Sequence, residues 1–108
     1  AKIHAIVEDV VEASHNGIIS WEIKSNVQPI LLQGKDDYEK TKERWNIFEE
    51  YFNEKDIKFK KIVSVKGNII SKLVNLIYIL DYASIYLAVI NKIDPTPVKS
   101  IDYIKKRL

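Results

Sequence analysis

The chain has 108 residues, enough for one domain at most or for part of one. Its 46% hydrophobic content can build a core, its 30% charged content argues for a water-facing surface, and a net charge of +2 gives no reason to expect nucleic acid or an anionic membrane as a partner. The absence of cysteine removes disulfides, thiolate catalysis and cysteine-based metal sites, as expected of a cytoplasmic protein, and the two histidines, His4 and His15, are too few for a histidine-based zinc site.

Ala1-Lys2-Ile3-His4 lacks the charged and apolar regions of a signal peptide, and without any methionine the chain is expected to begin inside a longer protein. From Ala1 to Ser14, Ile3, Ile6, Val7, Val10 and Val11 recur at helical spacing, although β-branching weakens that helix. Asn16-Gly17 in the following SHNGIISWE stretch is a turn signal. Ser25 to Gln28 read as a loop. Pro29 to Gln33, PILLQ, closed by Gly34, is a short apolar strand of the kind buried on both faces, with Pro29 tolerated at its first position.

Asp36 and Glu39 have capping-box spacing, and the helix they open carries Tyr38, Thr41, Trp45, Phe48 and Phe52 as one apolar stripe. Its opposite face is charged and solvated. Lys58 to Val65 supplies a second strand, so the two strands are expected to pair in parallel across a helical crossover.

Asn68 to Lys92 is the longest apolar stretch, with apolar side chains on nearly every face. A helix of this kind is expected in the interior, roughly 36 Å long, with Asn68 as N-cap and Asp94-Pro95 as its stop. The length also suits a membrane span, but Asp81 near the middle would cost about 2.5–3.5 kcal/mol there. The interior helix is therefore the favoured reading, with Asp81 on its one polar strip. A last helix follows, with Val98, Ile101, Ile104 and Leu108 inward and Lys99, Lys105, Lys106 and Arg107 outward. These elements make an α/β domain, and two parallel strands are too few to form a covered sheet.

Candidates for chemistry are few. The three glycines stand far apart, so no phosphate loop exists, and no GxSxG or HExxH motif appears. His15 is the best ionisable candidate, since a turn-borne histidine can transfer a proton near neutral pH; it can equally serve only to pack a turn. His4 carries no functional weight. Lys105 can be read as a solvated cation favourable to a helix C-terminus.

The stretch Leu80 to Leu108, LDYASIYLAVINKIDPTPVKSIDYIKKRL, closely resembles the end of the bifunctional phosphoglucose/phosphomannose isomerases. SHNGIISWE, Ser14 to Glu22, is similar to that family's histidine-asparagine-glutamate-isoleucine-valine-glycine-tryptophan motif. The resemblance implies a sugar-isomerase (SIS) fold, a three-layer α/β sandwich with a parallel sheet flanked by helices. Residues 1–108 would be an incomplete domain, the C-terminal part of the second SIS domain. It further implies aldose–ketose isomerisation of glucose 6-phosphate or mannose 6-phosphate to fructose 6-phosphate, through ring opening and a cis-enediol, in carbohydrate metabolism (glycolysis and gluconeogenesis). His15 falls on the ring-opening histidine, Lys105 on the lysine of the last helix with Lys106 as its neighbour, and Thr96 on the substrate-binding hydroxyl residue. No cofactor or metal is implied. The implied partners are a sugar 6-phosphate, the N-terminal SIS domain of the same protein and a second copy in a homodimer.

Two departures stand out. Gly17 replaces the family's glutamate, and the base glutamate would fall two positions before Ala1, so the chain alone is expected to be inactive. The competing readings are a non-catalytic sugar-phosphate-binding or regulatory SIS module and a small interaction domain.

Overall fold

In a computed structural model, residues 5–23 and 26–108 are described. The first turn of the expected N-terminal helix, His4, and the first residue of the expected 25–28 loop lie outside them. The chain divides into two compact units, residues 6–76 and residues 77–108 with Ala5.

The first unit opens with a single helical turn, α1 (Val10–Ala13), and a 3-10 helix, Gly17–Glu22. Asp9 caps α1, its carboxylate accepting from the backbone N–H of Val11 at 2.9 Å and of Glu12 at 3.1 Å. The helix is shorter than the apolar spacing predicts. Ile6 and Val7 are almost fully exposed, and a β-branched segment without a surface to pack against does not hold a helix.

Strand β1 (Ile30–Gln33) pairs in parallel with β2 (Lys60–Val63), from Ile30 opposite Lys60 to Gln33 opposite Val63. The crossover is α2 (Glu39–Glu54). Of its expected apolar stripe, Phe48 and Phe52 turn inward and form the buried cluster of this unit with Leu31, while Thr41 and Trp45 are half-buried and Tyr38 is exposed. Phe52 is its centre, with ring centroids 5.3 Å from Trp21, 5.7 Å from Phe48 and 5.7 Å from Phe59. Glu49 of α2 ties both strands at once, accepting from Gln33 Nε2 at 2.9 Å and from Lys61 Nζ at 2.6 Å.

The capping box does not form. Tyr38 stands at the cap without a side-chain hydrogen bond and is 74% exposed. Asp36 instead adopts φ 58°, and the Asp37 carboxylate accepts from the Gly34 N–H at 2.8 Å. The aspartates are used to close the strand-to-helix turn, a role aspartate fills as readily as capping.

Helix α3 (Ile69–Ile90) begins after Gly67, whose φ of +153° suits glycine, and Asn68 Oδ1 caps it by accepting from the Ser71 N–H at 2.9 Å. It ends before Asp94-Pro95. The N–H of Ile93 bonds to the carbonyl of Ala88 and that of Lys92 to Val89, with Lys92 at φ 54°, the Schellman arrangement of a helix end. The helix spans both units. It is not in the interior: Ala88 is its one buried residue, and Ile69, Ile70, Tyr78, Tyr86 and Val89 are more than half exposed. Apolarity on every face marks a helix that needs cover, and the two strands are too little surface to provide it. Among the described residues α3 alone is long and apolar enough to cross a membrane, with Asp81 exposed near its middle.

In the second unit, Tyr78, Tyr82 and Tyr86 form a ladder along α3, with centroids 4.7 and 6.3 Å apart. A hydrogen bond with Tyr82 raises the Tyr78 hydroxyl above its ordinary value. Helix α4 (Lys99–Lys105) closes the chain. Val98, Ile101, Ile104 and Leu108, expected inward, are all exposed, for the same want of a covering surface.

Candidate functional site

The three candidate residues divide between the two units, and each has a local environment set by its own element. His15 lies in the first unit, in the turn between α1 and the 3-10 helix, where it is exposed. Its backbone N–H donates to the Glu12 carbonyl at 3.0 Å, and the next residue holds the turn by its side chain, Asn16 Nδ2 donating to Glu12 Oε1 at 2.6 Å. Just before it, Ser14 Oγ donates to the Val11 carbonyl at 2.9 Å and accepts from Arg44 Nη1 of α2 at 3.3 Å. The turn is thus anchored on both flanks, and His15 is exposed on it.

A hollow of about 80 Å³ beside this turn is lined by Ser14, Ile18, Ile47, Phe48 and Tyr51. Ligand pockets generally span about 300–1,000 Å³, so it cannot enclose a sugar phosphate by itself.

Thr96 and Lys105 lie in the second unit. The Thr96 N–H donates to Asp94 Oδ1 at 2.9 Å, so the aspartate of the DPTPV segment folds its own turn and presents Thr96 at the surface. Lys105 is the last residue of α4 and Lys106 its C-cap; both are exposed. Beside them Arg107 stacks on the Tyr103 ring, 3.6 Å from its centroid, and donates to the Tyr103 carbonyl at 3.1 Å. That leaves the two lysines at the helix terminus as cations favourable to its dipole.

At the carboxyl ends of β1 and β2 lies a second polar cluster that sequence reasoning passed over. Ser64, 5% exposed, accepts from the Lys35 N–H at 2.9 Å and donates to the Val65 carbonyl at 3.0 Å. Lys72 of α3 reaches Asp37 at 3.4 Å, with its side chain 14% exposed. These pairs span 29 and 35 residues of sequence, and no local pattern announces them. Among the described residues no group of three or more histidine, aspartate or glutamate side chains is placed to hold a metal ion.

A parallel strand–helix–strand unit followed by two further helices defines a protein of mixed α/β class, consistent with part of an SIS-like domain. The model of the bacterial phospho-glucose isomerase C-terminal SIS domain matches residues 1–108, and the chain belongs to that family. It is 30% identical over 101 residues to the bifunctional phosphoglucose/phosphomannose isomerase of Caldicellulosiruptor bescii, an alignment covering 90% of this chain and 30% of that protein. The chain therefore spans about a third of the length of this relative. No solved structure matches it significantly.

Proposed function

We propose that residues 1–108 are the C-terminal part of the second SIS domain of an isomerase interconverting glucose 6-phosphate or mannose 6-phosphate with fructose 6-phosphate. The observation that carries this reading is the family match over the whole chain. The relative named a bifunctional phosphoglucose/phosphomannose isomerase supports both epimers as substrates.

The proposed chemistry begins with the closed sugar. His15, assisted by Lys105, moves the proton from the anomeric hydroxyl to the ring oxygen, so the bond from C1 to the ring oxygen breaks as the C1 carbonyl forms. Thr96 binds a substrate hydroxyl. A glutamate upstream of Ala1 then removes the C2 proton as the C1 carbonyl oxygen takes up a proton to give the cis-enediol, and returns it to C1 as the O2 hydroxyl gives up its proton and becomes the C2 carbonyl, which is general base catalysis. In this reading the phosphate is held by the N-terminal SIS domain, the working enzyme is a cytoplasmic homodimer without cofactor, and α3 is a domain helix instead of a membrane span. In this reading residues 1–108 do not include that glutamate and do not turn over substrate by themselves.

The test is an assay on the complete polypeptide, following fructose 6-phosphate to glucose 6-phosphate. His15→Ala should slow isomerisation of the cyclic sugar by about 10²–10⁴-fold, the usual contribution of one positioned acid or base. The deficit should shrink with open-chain substrate, which bypasses ring opening. An unchanged rate on cyclic sugar removes His15 from the mechanism. Robust turnover by the 108-residue chain alone overturns the assignment of the base to the upstream segment. A complete polypeptide that binds sugar phosphate without turnover is the non-catalytic module instead.

A further inference from the structure

The first two turns of α3 invert the usual order of a helix. Among residues 69–76, Lys72, Asn75 and Leu76 are half-buried, while Ile69, Ile70, Leu73 and Val74 are exposed. Helices ordinarily turn their apolar stripe inward, so two polar side chains one turn apart hold the inner face only if specific partners keep them there. Both have such partners. Lys72 Nζ reaches Asp37 Oδ1 at 3.4 Å, and Asp37 Oδ2 accepts from the Gly34 N–H at 2.8 Å, which ties Lys72 to the turn that follows β1. Asn75 Oδ1 accepts from the Val65 N–H at 2.9 Å, which ties it to the turn that follows β2. The buried Ser64 hydroxyl joins these two turns to each other, accepting from the Lys35 N–H at 2.9 Å.

Apolar burial is non-directional, and a helix that is apolar on nearly every face gains about as much from one rotation about its axis as from another. Turning Ile70 and Val74 toward the strand ends would bury more apolar surface than Lys72 and Asn75 do. Hydrogen bonds and ion pairs carry the direction that apolar contacts lack, and a polar side chain at a helix interface can fix its register at some cost in stability. We propose that Lys72 and Asn75 are the register key of α3: they select, among its apolar faces, the one that meets the carboxyl ends of β1 and β2. This role is independent of the isomerase reading.

The test is methyl NMR, amide exchange and urea unfolding of the complete polypeptide, with and without the key. The variant Asp37→Asn/Lys72→Met/Asn75→Leu removes it while leaving position 37 an oxygen that can accept from Gly34. The wild type should give one sharp set of Val74 and Leu76 methyl resonances. In the variant these should split or broaden, and the Val65 N–H should exchange about fivefold faster or more, as for the loss of one ordinary hydrogen bond. Its urea midpoint should hold or rise, because apolar groups in place of a largely buried ion pair are often neutral or stabilising. Asn75→Asp, which keeps an acceptor for Val65, should retain the single set. One sharp set in the triple variant overturns the proposal, whichever way the midpoint moves; with a lowered midpoint, the polar contacts only add stability. Should the triple variant fail to fold, Lys72→Met/Asn75→Ala is read by the same criterion.

Discussion

Single residues carry two consequences open to measurement. Lys92 ends α3 at φ 54°, a conformation that costs a residue with a Cβ about 1–2 kcal/mol and glycine far less. Lys92→Gly should therefore stabilise the fold by about 1 kcal/mol in urea unfolding, since the hydrogen bonds of the helix end involve only backbone. Loss of stability would show that the Lys92 side chain makes a contact worth more than the strain. Glu49 gives a pH dependence. Its burial raises the carboxyl pKa, but hydrogen bonds from Lys61 and Gln33 and the charge of Lys61 outweigh that and leave it lowered from 4.5. A carboxylate with a depressed folded-state pKa contributes stability above its unfolded value and loses it as pH falls through the folded one. Stability should thus decline as the medium becomes more acidic than about pH 4.5, and Glu49→Gln should flatten that part of the curve. Equal slopes in both proteins would mean that other carboxylates govern acid unfolding.

At the scale of elements, the crossover helix and the two strands depend on one another. Phe52 of α2 is 2% exposed and meets Trp21, Phe48 and Phe59, so it joins the 3-10 helix, α2 and the segment entering β2. Phe52→Ala should cost about 3–5 kcal/mol, the usual loss on emptying a buried aromatic site. Tyr38→Ala, at a position 74% exposed, should change stability by less than about 0.5 kcal/mol. Near-UV circular dichroism and denaturant unfolding would separate the two, and similar losses would mean that the core does not centre on Phe52. The stripe that identifies α2 was legible from spacing alone. Its cap was not, because Asp36 and Asp37 fit a cap and a turn equally well, and the turn after β1 wins.

For the whole molecule, the consequence is association. Ile69, Ile70, Val74, Ile77 and Tyr78 lie exposed along α3, and Val98, Ile101 and Ile104 along α4. Exposed apolar area on this scale is rarely left in water. The isolated chain is expected to self-associate, with sedimentation showing species heavier than 12.6 kDa that grow with concentration. A clean monomer at high concentration would contradict this. In the complete polypeptide the same faces are proposed to meet the rest of the SIS fold.

By itself the sequence determined the element order, the parallel pairing of β1 and β2, the inward placing of Phe48 and Phe52 on α2, the N-cap at Asn68 and the family. Each of these follows from spacing between near neighbours or from a contiguous motif, and the physical forces involved act over a few residues. Only the tertiary structure decided that α3 and α4 lie exposed and that α1 shrinks to one turn. It also placed Lys72 against Asp37. Burial requires a partner surface as well as an apolar side chain, and contacts between residues distant in sequence leave no periodic mark. The pattern of a segment states what it needs, and the rest of the fold decides whether that need is met.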